Sequence, residues 1–66
     1  MRVREIEKIL KADGWRLKTT KGSHCQYVHS AKPGKVTVPR HAGDVDIRTA
    51  RSIFRQAGIE WPPGRD

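Results

Sequence analysis

Two segments with the helical spacing of apolar residues lie near the ends of this 66-residue chain, and a glycine follows each. Apolar residues that recur every three or four positions form one face of an amphipathic helix, and glycine commonly follows a helix C-terminus. Residues 3–13, before Gly14, and 47–57, before Gly58, are therefore predicted helices. Their apolar positions are Val3, Ile6, Ile9 and Leu10 in the first helix, and Ile47, Ala50, Ile53, Phe54 and Ala57 in the second.

The first segment between these helices alternates as a strand does. In residues 15–20, the side chains of Trp15, Leu17 and Thr19 share one side, and we expect that side to face the core. Residues 21–23 contain the glycine of a hairpin turn. The pattern predicts a half-buried strand that leads directly into a hairpin.

The returning strand is predicted over residues 24–29. One face of this strand carries Cys25 and Tyr27, which as a pair are buried in proteins more often than the residues of the other face, so we expect them to point inward. That assignment leaves His24 on the open face. A third strand follows at 35–39, with both valines inward and a proline at its end.

The predicted order is α-β-β-β-α, an α+β fold in which two helices cover one face of a three-stranded antiparallel sheet. This is the layout of a small double-stranded-RNA-binding domain (dsRBD). Asp46 is the expected N-cap of the second helix. We expect one domain over residues 1–59 and an extended C-terminal tail over 60–66.

The chain carries fourteen lysines and arginines against seven acidic residues, a formal net charge of +7. This excess predicts a polyanionic partner, such as nucleic acid or an acidic protein. A membrane is not expected, because no basic amphipathic helix with a broad aromatic face is present and no apolar run has the length of a signal peptide or a membrane span. The single cysteine excludes an intrachain disulfide and favours a reducing compartment, so we expect a cytoplasmic protein.

A histidine follows a Gly-Ser turn beside a lysine in the segment Lys21-Gly22-Ser23-His24. Histidine exchanges protons near neutral pH, and glycine allows both a tight turn and the close approach of a bulky anion. Lysine supplies positive charge for a phosphate. By itself this pattern is more often an exposed strand residue than a catalytic group, and both interpretations stay open at this point.

Other chemistry is less favoured by the sequence. A zinc site built from His24, Cys25, His29 and His41 is unfavourable, because adjacent strand residues such as His24 and Cys25 point to opposite faces. A core-facing Cys25 thiol stays protonated and is not a nucleophile. We interpret His29 as a strand-end residue and His41 as a loop residue near the substrate.

The second helix carries three arginines along one stripe, at Arg48, Arg51 and Arg55. Charged helix faces are usually only solvated, and exposed arginines add little stability. No acidic residue interrupts this stripe, however. It is therefore a candidate contact for RNA phosphates or for the acidic residues of a protein partner.

Several short motifs occur in a characteristic order along nearly the whole chain. They are Val3-Arg4-Glu5-Ile6, Gly14-Trp15, Lys21-Gly22-Ser23-His24, Tyr27, Val36-Thr37-Val38-Pro39-Arg40-His41, Gly43-Asp44 and Ile53-Phe54-Arg55-Gln56-Ala57-Gly58-Ile59. In this order and spacing the chain resembles the HicA (YcfA-like) mRNA interferase toxins of type II toxin–antitoxin systems. Two departures stand out: Cys25 occupies the place of a second histidine found in many members, and Ile47-Arg48 replaces a frequent Pro-Gly.

The resemblance implies a dsRBD-like fold, ribosome-independent cleavage of mRNA, neutralisation by a HicB-like antitoxin, and one catalytic histidine that corresponds to His24. RNA supplies its own nucleophile, the 2′-hydroxyl, so we expect no metal or other cofactor. His24 would be the general base, and either His24 or Lys21 the acid. The alternative is a non-catalytic RNA-binding module. The residues expected to bind the RNA backbone are Lys21, Gly22, Ser23, Lys35 and Arg40.

Overall fold

The computed structural model of the chain describes residues 1–40 and 43–63. Three strands form an antiparallel sheet in the order β1-β2-β3, and both helices pack on one face of it. The predicted α+β architecture is confirmed. Its elements are α1 (Val3–Ala12), β1 (Trp15–Lys21), β2 (His24–His29), β3 (Val36–Pro39) and α2 (Ile47–Gln56).

The core lies between the helices and the inner face of the sheet. In β2, Cys25 and Tyr27 are almost fully buried, and in β3 the two valines are buried as well, as predicted. The outer face of the sheet is not covered by either helix. The buried residues are Val3, Ile6, Leu10, Trp15, Cys25, Tyr27, Val36, Val38, Ala50, Ile53, Phe54 and Ala57.

Both helix starts are held by a carboxylate. Glu5 accepts the N–H of Arg2 at 3.1 Å at the start of α1. Asp46 accepts the N–H of Thr49 at 2.8 Å, and this hydrogen bond keeps the pKa of Asp46 below its usual value. The predicted N-cap of α2 is confirmed, because the carboxylate satisfies an amide that has no partner within the helix.

The C-terminus of α2 also follows the prediction, but its first residue does not. Gly58 has a φ of 68°, and Ile59 donates its N–H to the carbonyl of Phe54 at 2.9 Å, which closes the last turn. Ile47 was predicted to be buried and is instead 57% exposed. Periodicity gives the direction of a helical side chain, but not whether another element covers it.

Strand β1 contains a bulge that the alternation does not reveal. Leu17 pairs with Tyr27 and Thr19 with Gln26, so Lys18 is left without a partner across the strand pair. The extra residue reverses the alternation beyond this point. Thr19 therefore faces outward rather than inward, which corrects the prediction.

The start of the chain forms a short antiparallel pairing with the segment before α2. Val3 donates its N–H to the Gly43 carbonyl at 3.0 Å, and Val45 donates to the Met1 carbonyl at 2.8 Å. The N-terminal amine also lies 3.2 Å from a carboxylate oxygen of Asp44. These contacts fix the entry to α2, and no local sequence signal indicates them.

Polar contacts connect several segments of the chain at the end of the sheet where β2 ends. His29 Nε2 lies 2.6 Å from the Asp13 carbonyl, and Nδ1 accepts the N–H groups of Ala31 and Lys32. Lys32 Nζ reaches the Asp13 carboxylate at 2.7 Å and the Ala57 carbonyl at 3.1 Å. This cluster joins the C-termini of both helices to the β2–β3 loop.

Neither helix within the described ranges has the length and hydropathy needed to cross a membrane.

Candidate functional site

His24 is the first residue of β2 and lies on the outer face of the sheet, as predicted. Its neighbour Cys25 is fully buried, and alternate residues of a strand point to opposite faces. The His24 side chain is exposed. Within the described part of the chain no hydrogen bond holds its ring.

Two residues flank His24 across the sheet. Lys21 is its partner on β1, and Pro39 is its partner on β3. Directly opposed residues lie about 4.5–5.5 Å apart at their Cα atoms, and their side chains share a face. The exposed Lys21 is therefore the closest cation to His24 in the register of the sheet.

The turn between Lys21 and His24 consists of only two residues. Gly22 has a φ of 57°, a conformation that residues with a Cβ rarely adopt. No atom lies within 4 Å of the position that a Cβ would occupy there. The backbone conformation favours glycine, and the surface beside it is open to a ligand.

The turn is held by Arg40, the residue after β3, whose N–H donates to the Ser23 carbonyl at 2.7 Å. The side chain of Arg40 extends in another direction, because its Nε lies 3.3 Å from Oε2 of Glu7 on α1. Arg40 is one of the residues expected to bind the RNA backbone, and its guanidinium lies on the helix side of the sheet, against Glu7.

Glu7 also accepts the phenol O–H of Tyr27 at 2.9 Å. Burial and the neighbouring Glu7 carboxylate raise the pKa of Tyr27, so its phenol remains a hydrogen-bond donor. Glu7 and Lys11 have the i,i+4 spacing of a helical ion pair, but the Glu7 carboxylate is directed towards Tyr27 and Arg40 instead. Nothing in the local pattern of α1 could have revealed these two distant partners.

Lys35 is not brought beside His24. His24 pairs with Pro39, whereas Lys35 precedes Val36, the first residue of β3. Four residues of extended chain span about 13 Å, so Lys35 lies towards the other end of the sheet. Of the three predicted phosphate-binding cations, Lys21 alone is brought next to the histidine.

The remaining candidate ligands are dispersed. His29 is the strand-end residue that the sequence predicted, and His41 lies outside the described residues. Cys25 is buried, with its Sγ 3.8 Å from the Thr20 hydroxyl. Over residues 1–40 and 43–63 no three His, Cys, Asp or Glu side chains cluster in a way that would hold a metal ion.

The arginine stripe of α2 is exposed, and the tail adds an aromatic residue to it. Trp61 is half-buried against Phe54, with ring centroids 5.9 Å apart. The guanidinium of Arg51 lies 5.7 Å from the Trp61 ring centroid. The expected tail therefore packs against the core at Trp61. In the sequence, the signal for the contact with Phe54 is the large apolar side chain of Trp61, two positions after Ile59.

The fold and the exposed histidine turn define a small basic α+β protein of dsRBD-like layout, with a candidate site on its open sheet face. A family model described as the HicA toxin of bacterial toxin–antitoxin systems matches residues 3–59. The chain belongs to the HicA toxin family.

A solved structure supports the same assignment. It is described as a toxin–antitoxin complex from Streptococcus pneumoniae, and one of its chains is 32% identical to this protein. The match covers 89% of this chain and 98% of that one, with a TM-score of 0.76. No curated protein sequence matches the chain.

Proposed function

We propose that this protein is the toxin of a type II toxin–antitoxin pair and an endoribonuclease that cleaves mRNA without a metal ion, with His24 as general base. The observation that carries the proposal is the position of His24. It is exposed on the uncovered sheet face, opposite Lys21 and next to a glycine turn. The family supports the toxin role.

The proposed chemistry begins with the 2′-hydroxyl of the substrate. His24 takes its proton, and the resulting oxygen attacks the adjacent phosphorus. The bond from phosphorus to the 5′-oxygen breaks, which leaves a 2′,3′-cyclic phosphate on one product and a 5′-hydroxyl on the other. The proton for the departing oxygen comes from the His24 imidazolium or from Lys21.

The positions of the cations indicate how the substrate would bind. Lys21 is placed to stabilise the negative charge that develops on the phosphate in the transition state. Gly22 leaves room for the phosphate at the turn, and Ser23 lies beside it. Lys35 would contact the RNA backbone farther along the sheet. Arg40 would contribute mainly by holding the Ser23 carbonyl, because Glu7 engages its side chain.

A HicB-like antitoxin is the second proposed partner. The solved relative is described as a toxin–antitoxin complex, and it covers most of this chain. An inhibitor of the proposed enzyme must keep RNA away from His24, so we expect the antitoxin to cover the outer sheet face. The mRNA substrate places the proposed activity in the cytoplasm.

The test is cleavage of a defined RNA oligonucleotide by purified protein in the presence of EDTA. Wild type should cleave it and produce 2′,3′-cyclic phosphate and 5′-hydroxyl ends, whereas a substrate with one 2′-deoxy nucleotide at the cleavage position should resist. His24→Ala should lose cleavage with its circular dichroism unchanged. Lys11→Ala, an exposed change on α1, is the matched control and should retain cleavage.

Undiminished cleavage by His24→Ala would remove the catalytic role of this residue. Wild-type protein that binds RNA without cleaving it would instead support the alternative, a non-catalytic RNA-binding module. In either case RNA binding by the basic surface should weaken steeply with added salt, because each phosphate contact releases counterions.

A further inference from the structure

The exposed side of α2 and the segment after it form a second cationic surface. We call it the arginine surface and define it by Arg48, Arg51, Arg55, Ile59 and Trp61. The three arginines are separated by three and four residues, so they lie along one side of the helix. All three are exposed, whereas Ile59 and Trp61 are half-buried.

The arginine surface contains a groove with an apolar floor. Arg51, Arg55, Ile59 and Trp61 line an open depression of about 250 Å³. Trp61 is fixed from below by Phe54, and the Arg51 guanidinium stands over its ring. A depression of this size accommodates an apolar side chain, with guanidinium groups on its rim.

The arginines of this surface form no ion pair within the described residues, although Arg48 is close enough to Asp46 to help lower the pKa of that carboxyl. Over residues 1–40 and 43–63 no carboxylate lies within 4 Å of the Arg48, Arg51 or Arg55 guanidinium groups. The basic patch on α1 differs, because Glu5 lies among Arg4 and Lys8. Three neighbouring arginines that form no direct ion pair with the described carboxylates favour an anionic partner.

The location of this surface argues against a contact with the same RNA that we propose is bound at His24. Ile53 and Phe54 are buried in the core, and at about 100° per residue Arg55 lies about 160° from Ile53 and about 100° from Phe54 around the helix. Arg51 is about 60° from Phe54 and therefore lies on the flank of the helix. The arginine surface thus covers the flank and the outer side of α2, whereas His24 lies on the opposite side of the sheet. RNA would have to wrap around the molecule to contact both.

The aromatic residue is also unsuited to nucleic acid. Proteins that bind single strands offer exposed aromatic faces on which bases stack. Trp61 is only half-exposed, and its ring is already occupied by the Arg51 guanidinium and Phe54. An apolar groove rimmed by arginines fits a protein segment better, since the guanidinium fork binds carboxylates in bidentate geometry.

We propose that the arginine surface binds an acidic protein segment, one that inserts an apolar side chain between Arg55 and Trp61 while flanking carboxylates pair with the arginines. This interaction is independent of the chemistry at His24. It occupies the side of the molecule that the RNA site leaves free, so the protein can hold this segment and RNA at the same time.

The test uses nuclear magnetic resonance with ¹⁵N-labelled wild-type protein and a set of synthetic ten-residue peptides. Each peptide has glutamates on both sides of one central leucine, phenylalanine or tryptophan, and each has a control peptide with glutamines in place of the glutamates. At least one acidic peptide should shift the indole N–H of Trp61 and the arginine Nε–H signals of α2. The glutamine peptides should bind at least tenfold more weakly.

Charge reversal provides the matched comparison. Arg51→Glu/Arg55→Glu should weaken peptide binding about tenfold or more, because it turns two attractions into repulsions. Arg4→Glu/Lys8→Glu makes the same charge change on the exposed face of α1 and should weaken it by less than threefold. His24→Ala should bind the peptide like wild type, which separates this result from any failure of the proposed nuclease.

The proposal is overturned if no acidic peptide in the set shifts the Trp61 indole, or if both double variants lose binding equally. It is also overturned if a ten-nucleotide RNA displaces the peptide from Trp61, since the surface would then belong to nucleic acid.

Discussion

The two ends of strand β2 carry the same residue type in opposite circumstances. His24, at the start, is exposed beside an open turn, and no contact from the described residues holds its ring. His29, five residues later, has both ring nitrogens in hydrogen bonds and its ring edge against Trp15, with centroids 5.1 Å apart. The lesson is that the role of a histidine follows from its partners.

The same contrast extends to the glycines beside the two histidines. Gly22 has open space around it, whereas a Cβ on Gly14 would lie 2.6 Å from Nε2 of His29. One end of the sheet is therefore closely packed and the other is accessible. A domain this small has a thin core, so close packing at one end can hold the fold while the other end stays open.

The largest expected effect is on activity at the open end. His24→Ala should reduce RNA cleavage by about 10²–10⁴-fold, the usual contribution of a general base, while the free energy of unfolding changes by no more than about 0.5 kcal/mol. Initial cleavage rates and urea denaturation measure the two quantities. A large loss of stability in this variant would contradict the assignment of His24 as an unpartnered residue.

The next effect distinguishes the two glycines. Gly14→Ala should destabilise the protein by about 3 kcal/mol, because its φ of 102° is strained for alanine and the new methyl group collides with His29. Gly22→Ala should cost about 1–2 kcal/mol, since only its φ of 57° opposes the change. Thermal or urea unfolding of both variants checks the order, and equal losses would show that the contact with His29 is unimportant.

A smaller loss is expected for His29→Ala. The Asp13 carbonyl and the N–H groups of Ala31 and Lys32 would lose their partner, at a cost of about 2 kcal/mol. At a temperature where the variant remains folded, its cleavage rate should equal that of wild type. A fall in the rate as large as that of His24→Ala would show that the two ends are not functionally separate.

The smallest effect is a pH dependence at the packed end. The hydrogen bond from Lys32 keeps the pKa of Asp13 below its ordinary value in the folded protein. The ionised carboxylate therefore contributes stability that is fully present above the ordinary aspartate pKa of about 3.9 and is lost as pH falls through the lowered pKa. Because the pair is partly exposed, the contribution should be under about 1 kcal/mol.

Unfolding of wild type and Asp13→Asn by urea between pH 2 and 7 measures this contribution. The variant should be less stable at pH 7, and the difference should shrink as the pH is lowered. A difference that stays constant with pH would mean that the Asp13 charge does not contribute.

Local sequence patterns were sufficient for the parts of the fold that depend on local forces. The helix periodicity, the Asp46 cap, the glycine that ends each helix and the inward direction of Cys25 are all found as predicted. For the site, the exposure of His24 and its separation from Cys25 follow from strand alternation. Its placement beside Lys21 follows from the short turn.

The predictions failed where partners are distant in the chain. Tyr27 and Arg40 approach Glu7 from the sheet, at separations of 20 and 33 positions in the chain, and nothing in the pattern of α1 indicates either contact. The exposure of Ile47 depends likewise on what covers it. The cluster around His29 involves three separate segments. No window of neighbouring residues contains this information, because it arises only when the elements pack.

The unpaired Lys18 in β1 has a consequence for how such a site can change. Suppose that β1 had no bulge and that the pairing continued regularly from Leu17 opposite Tyr27. Thr20 would then pair with His24, and Lys21 would belong to the loop. The additional residue advances the strand by one position and brings an ammonium group next to the imidazole. The number of residues in β1 thus selects the neighbour of His24, and an insertion or deletion there would exchange that neighbour without any change to the histidine itself.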